Sequence, residues 1–159
     1  MINDGPSRKS LAIDVAEFLS AAYSCSMRMF ENATYVEAEL PKVELPQRLR
    51  KEVYRVCATW ISNKHDISGE LDDFHDIPAP LESELKQGRV ERISRWLSED
   101  FPQLNELVVK LRDLSEQNPK YIPAHMLVTE SAVNVLRSFA EVRAAADRYF
   151  SAVGASGSN

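Results

Sequence analysis

The sequence has no run of 18 apolar residues, no disulfide framework, very little glycine and no convincing strand alternation. Each deficit excludes a class of protein. A bilayer-spanning helix needs a long apolar run, so no membrane role is expected. The opening residues MINDGPSRKSLAIDVAEF lack the apolar stretch of a signal peptide, and a cytoplasmic protein is the expectation. The two cysteines, Cys25 and Cys57, lie far apart within apolar helical patterns and form no CxxC knuckle. They read as reduced core thiols. The five glycines, Gly5, Gly69, Gly88, Gly154 and Gly157, build neither a phosphate-binding loop nor a dinucleotide fingerprint, and no G-x-S-x-G element occurs. No cofactor and no enzymatic activity is expected from such a chain.

What remains is ordinary globular material. The chain has 159 residues, 44% hydrophobic and 27% charged, enough to bury a core without a metal or a crosslink. The expected organisation is one helical domain over residues 1–153, followed by a disordered tail, GASGSN, over 154–159.

Apolar spacing gives the fold class. Leu11, Val15, Phe18, Leu19, Ala22, Met29, Phe30 and Ala33 recur at helical intervals, predicting a helix from about Arg8 to about Ala33. Pro41 and Pro46 then forbid a continuous helix, so the chain crosses in extended form or with a short helical overrun. A second helix is predicted from Pro46 to about Ser62, a third after Pro80 with a weak point or break at Gly88, and a fourth capped by Asp100. From Pro123 a long final helix carries Leu127, Val128, Ala132, Val135, Leu136, Phe139, Val142, Ala146, Tyr149 and Phe150. The expectation is an all-α bundle of about five helices with a long C-terminal helix.

Charge is uneven in one place. Of 24 acidic residues, seven (Asp66, Glu70, Asp72, Asp73, Asp76, Glu82 and Glu84) lie between positions 66 and 85, where there is no Lys or Arg. That leaves 17 acidic against 19 basic residues elsewhere, which disfavours both a nucleic-acid mimic and a strongly basic nucleic-acid binder. Read as a connection between helices two and three, the segment would use Leu71, Phe74 and Ile77 as apolar anchors. Glu70, Asp72, Asp73 and Asp76 would then stand in water, free to meet a basic partner.

The same carboxylates with His65 and His75 invite comparison with a metal loop. A calcium loop beginning at Asp66 needs glycine at its sixth position and a carboxylate at its twelfth, where Leu71 and Ile77 stand, and the two histidines match no zinc spacing. No metal is expected. On the third helix Lys86, Arg89, Arg92 and Arg95 recur every three residues as a basic ridge for an acidic partner or for phosphates. The helix that would read DNA in a helix-turn-helix, PQLNELVVKLRDLSEQ, is poor in basic residues and patterned for core packing. Trp60 and Trp96 each sit on an apolar stripe and belong to core or interface. Glu17, Glu31 and Glu141 lack the Glu-x-x-His pairing of di-iron bundles, and His125, in the first turn of the long helix, reads as an interfacial or solvent-facing residue rather than as an acid or base.

The leading reading is a non-enzymatic protein–protein interaction protein: an adaptor, an inhibitor, an immunity factor or a small subunit of a larger assembly. Its partner-binding residues would be Glu70, Asp72, Asp73, Asp76, Lys86, Arg89, Arg92 and Arg95. The alternative is a helical nucleic-acid-binding subunit that uses the basic ridge. A homo-oligomer is compatible with either.

Overall fold

The computed structural model describes residues 8–73 and 82–157, with side-chain surroundings for 14–71 and 88–154. Among the described residues five α-helices follow one another: α1 (Arg8–Glu39), α2 (Gln47–Asp73), α3 (Glu82–Ser98), α4 (Phe101–Gln117) and α5 (Ile122–Gly157). Short 3₁₀ turns at Leu40–Lys42 and Pro119–Tyr121 lie between α1 and α2 and between α4 and α5, and there is no strand among the described residues. The all-α bundle with a long C-terminal helix is therefore what the chain forms.

α1 and α5, of 32 and 36 residues, are the two long members and share the most extensive packing. They run antiparallel. Glu17 meets Arg148 at 3.3 Å near one end of the pair, and Asn134 Nδ2 donates to Asn32 Oδ1 at 3.4 Å further along. One face of α1 buries Val15, Phe18, Ala22, Cys25, Met29, Ala33 and Val36, at intervals of three and four that keep the row pointed inward over six turns. α5 answers with Ala124, Val128, Val135, Val142 and Tyr149, all buried. α2 returns along α1, and α3 and α4 close the remaining sides against α5.

The turn from α1 into α2 has a definite cause. Pro41 cannot donate to an α-helical ladder, so α1 tightens into the 3₁₀ turn, and Val43 then goes extended at φ −113°, ψ 150°. That exit leaves Leu40 O with one long 3₁₀ bond, from Val43 N at 3.3 Å. Arg50, on the first turns of α2, donates to Leu40 O at 2.7 Å and to Val43 O at 2.9 Å, closing the gap with one side chain. Of the two alternatives for this segment, the short helical overrun is the one formed.

Between α4 and α5 the chain turns on Asn118, whose side chain accepts from Lys120 N at 3.1 Å. Pro119 and the 3₁₀ turn follow, and α5 starts at Ile122 with Pro123 in its first turn. At the start of α4, Asp100 occupies the capping position but makes no side-chain cap bond. Burial, with Glu99 beside it, pushes its carboxyl above the ordinary value, the opposite of what a working cap would do.

Several boundaries differ from the sequence expectation. α2 continues well past Ser62 to Asp73, so NKHDISGELDD is helix rather than connection. The reason lies in packing: Ile67 is fully buried and Leu71 packs against the core, continuing the row of Val53, Val56 and Trp60. α3 runs unbroken through Gly88. α5 carries on through Gly154 to Gly157, so the first four residues of the tail expected as disordered are helical. Ser7, Phe74, His75, Asp76 and Ile77 lie outside the described residues.

The extension of α2 is testable with two substitutions two positions apart. Ile67→Ala should cost about 2–5 kcal/mol by emptying a buried site. Gly69→Ala, at an exposed helical position with no atom within 4 Å of the added Cβ, should stabilise by about 0.5–1 kcal/mol. Urea denaturation midpoints of the two variants decide it, because a flexible connection would make both nearly silent.

Candidate functional site

The acidic end of α2 and the basic row of α3 face each other. Glu70 keeps only 15% of its side chain exposed; its Oε1 lies 2.9 Å from Arg92 Nη1 and its Oε2 lies 3.7 Å from Arg89 Nη1. Sequence reading put Glu70 in water, available to a partner. Instead it neutralises two of the four ridge cations within the chain, and it can do so because α2 is long enough to bring it there.

The remaining residues of that expectation separate. Asp72 and Asp73 end α2 and Lys86 lies in α3, with their side-chain surroundings outside the described residues, as is Asp76 altogether. Leu71 does act as an anchor against the core. Arg95 belongs to a different place. It lines a solvent-open groove of about 280 Å³ between α3 and α5, together with Ser94, Ser98, Phe139, Arg143, Ala146, Asp147 and Phe150. Neither Arg95 nor Arg143 makes an ion pair among the described residues.

A second groove, about 590 Å³, runs along the seam of α1 and α5, lined by Ala16, Glu17, Ser20, Ala21, Ser24, Glu141, Ala145 and Arg148. It brings Glu17 and Glu141 to one place, and Arg148 pairs with Glu17. No histidine joins them. Among the described residues there is no group of three His, Cys, Asp or Glu side chains placed to hold a metal ion. His65 is exposed on α2 and His125 half-buried on α5.

The thiols are core elements. Burial, helped by the charge of Glu141 and opposed by a hydrogen bond from Ser138, pushes Cys25 to about 11, and burial with Glu37 nearby pushes Cys57 to about 12. A neutral, enclosed thiol is a poor nucleophile. Trp60 is buried and Trp96 half-buried against the core, and the Trp96 carbonyl accepts from Asn63 Nδ2 at 3.2 Å. The apolar row of α4, from Phe101 through Leu104, Leu107 and Leu111, is buried as its pattern implied.

One surface was not anticipated. On α5, Met126 is 52% exposed, with Ile122 and Val133 similarly open to solvent and Ala140 and Ala144 exposed beyond them. Their steps of four, seven, seven and four residues keep them on one side of the helix, away from its buried row. Val109 on α4 is exposed as well. The signal was available in the sequence as a second apolar periodicity on α5, concealed by the stronger inner one.

No family model matches the chain, and neither a curated protein nor a solved structure matches it. Among the described residues no helix is long and apolar enough to cross a membrane.

Two measurements follow from these contacts. Glu70→Gln should lower stability by about 1 kcal/mol or less in dilute buffer, and the difference from the parent chain should shrink in 1 M salt, as screening removes the charge term. Urea midpoints at both ionic strengths test this. For the thiols, a folded value raised above the ordinary 9.0 means that their stability contribution is complete below pH 9 and is lost as pH rises toward 11 and 12. Each thiol should steepen the loss by up to about 1.4 kcal/mol per pH unit between pH 9 and 11. The Cys25→Ala/Cys57→Ala double variant should show a flatter pH dependence, whatever its baseline stability.

Proposed function

We propose that this chain is a non-enzymatic, cytoplasmic protein–protein interaction protein, a single helical domain acting as an adaptor, inhibitor, immunity factor or small subunit. One observation supports this most directly: α5 is apolar on two sides, and only one is covered. A helix gains from an apolar face only when that face is buried, and singly scattered exposed side chains would not recur at steps of four and seven along more than 20 residues. The row from Ile122 to Ala144 is about 33 Å long at 1.5 Å per residue, the shape of a surface for a helix of a protein partner carrying its own apolar stripe.

Beside the non-enzymatic reading stand two enclosed thiols and, among the described residues, a groove in which Glu17 and Glu141 are joined by no histidine. The two unpaired, buried cysteines suit a reducing compartment. The nucleic-acid alternative loses ground because Glu70 occupies Arg89 and Arg92, leaving a shorter basic surface than the ridge implied.

Met126→Glu/Val133→Glu tests the reading. Both positions are exposed, so the melting temperature should move little. Cross-linking in the native cell, followed by affinity recovery, should yield a stoichiometric protein partner with the parent chain and lose it with the variant. If the folded variant recovers the same partner in the same amount, the outer row of α5 is not the binding surface.

A further inference from the structure

The basic row of α3 does two different things along its length. Arg89 and Arg92 turn toward α2 and are held by Glu70, whereas Arg95 faces α5 and rims the groove there with Arg143. These two guanidinium groups have no carboxylate partner among the described residues, even though Asp147 lines the same groove. Phe139 and Phe150 line the groove with them. The Phe139 ring is set edge-on against Phe101 at 4.8 Å between centroids, and Phe150 against Tyr149 at 5.6 Å. Rings fixed by neighbouring rings form a floor that needs little ordering when something lands on it.

The shape decides what lands. At about 280 Å³ and open to solvent, the groove is at the small end of ligand sites and would leave a free ligand largely exposed. A single side chain from a larger partner fits it better, with the partner covering the rest. Arginine and aromatic groups at the rim and floor are the residue types that carry binding energy at protein interfaces. The charge decides the rest. Two arginines and one aspartate give a modest positive excess, suited to one carboxylate and unsuited to a run of phosphates.

We propose that the α3–α5 groove seats an acidic–apolar segment of a protein partner. A large apolar side chain of that segment rests on Phe139 and Phe150, and a neighbouring Asp or Glu carboxylate sits between Arg95 and Arg143. This rests on the protein-binding reading above and gives the partner its chemistry. The two surfaces are continuous, since Ala140 and Ala144 of the outer row stand three residues from Arg143 and Asp147 on the same helix.

The test is a selection of displayed random decapeptides on the whole chain, with the affinities of the enriched peptides measured against variants of verified fold. Enriched peptides should pair Asp or Glu with a large apolar residue, lose at least about tenfold in affinity on Arg95→Gln/Arg143→Gln, and keep it on Arg137→Gln, an exposed arginine outside the groove. Peptides without an acidic residue, or ones that bind the double variant equally well, overturn the groove assignment. If those peptides are lost on Met126→Glu/Val133→Glu, the wider protein-binding reading stands without it. A selection that enriches nothing also overturns the proposal. In that case, saturable shifts of the Phe139 and Phe150 ring resonances with phenylacetate would reassign the groove to a small organic anion.

Discussion

The antiparallel pairing of α1 and α5 is the constraint on which the rest of this molecule depends. Each is more than 30 residues long, far above the average globular helix, and draws most of its stability from packing its apolar face. Their buried rows include Ala22, Ala33, Ala132 and Ser131, small residues that let the axes approach, as well as Phe18, Met29 and Tyr149, which fill the space between. The shorter helices are placed by this pair. α2 lies along α1, and α3 and α4 pack on α5, so the positions of both candidate binding surfaces follow from it.

Electrostatics then sorts the surface into what the chain uses for itself and what it leaves available. Glu70 draws Arg89 and Arg92 onto the end of α2, Lys110 reaches Glu52 at 3.6 Å, and Arg148 holds Glu17. These pairs link different helices, and each contributes a modest amount in water. Arg95 and Arg143, like Arg48, Arg55 and Arg137, make no ion pair among the described residues, and these two line one groove with Phe139 and Phe150 beside the uncovered row of α5. A charge-rich segment in a sequence is therefore a poor guide to an interaction surface until its internal partners are known.

Local periodicity made the helical class and most of the core legible. Val15, Phe18, Met29, Leu104, Leu111 and Val135 are buried where their spacing put them. The end of α2 was harder to see, because Gly69 and the polar residues around it resemble a connection. Only the continuation of the Trp60 row through Ile67 and Leu71 marks it as helix, and that row becomes decisive once a core exists to receive it. Glu70 and Arg89 are 19 positions apart and on different helices, so no local pattern pairs them. The groove is less legible still, since Arg95 and Arg143 meet only through the packing of α3 on α5.

The long pairing also dictates an order of events. Arg50 reaches carbonyls only ten and seven residues back, so the α1–α2 hairpin closes a short loop early. Glu17 must wait for Arg148, 131 positions later. At the pace of translation that interval lasts on the order of ten seconds, during which the apolar row of α1 has α2 beside it and no α5. The nascent chain therefore passes through a stage in which the seam between its two longest helices is half-built, with the apolar row of α1 waiting for the last helix to emerge.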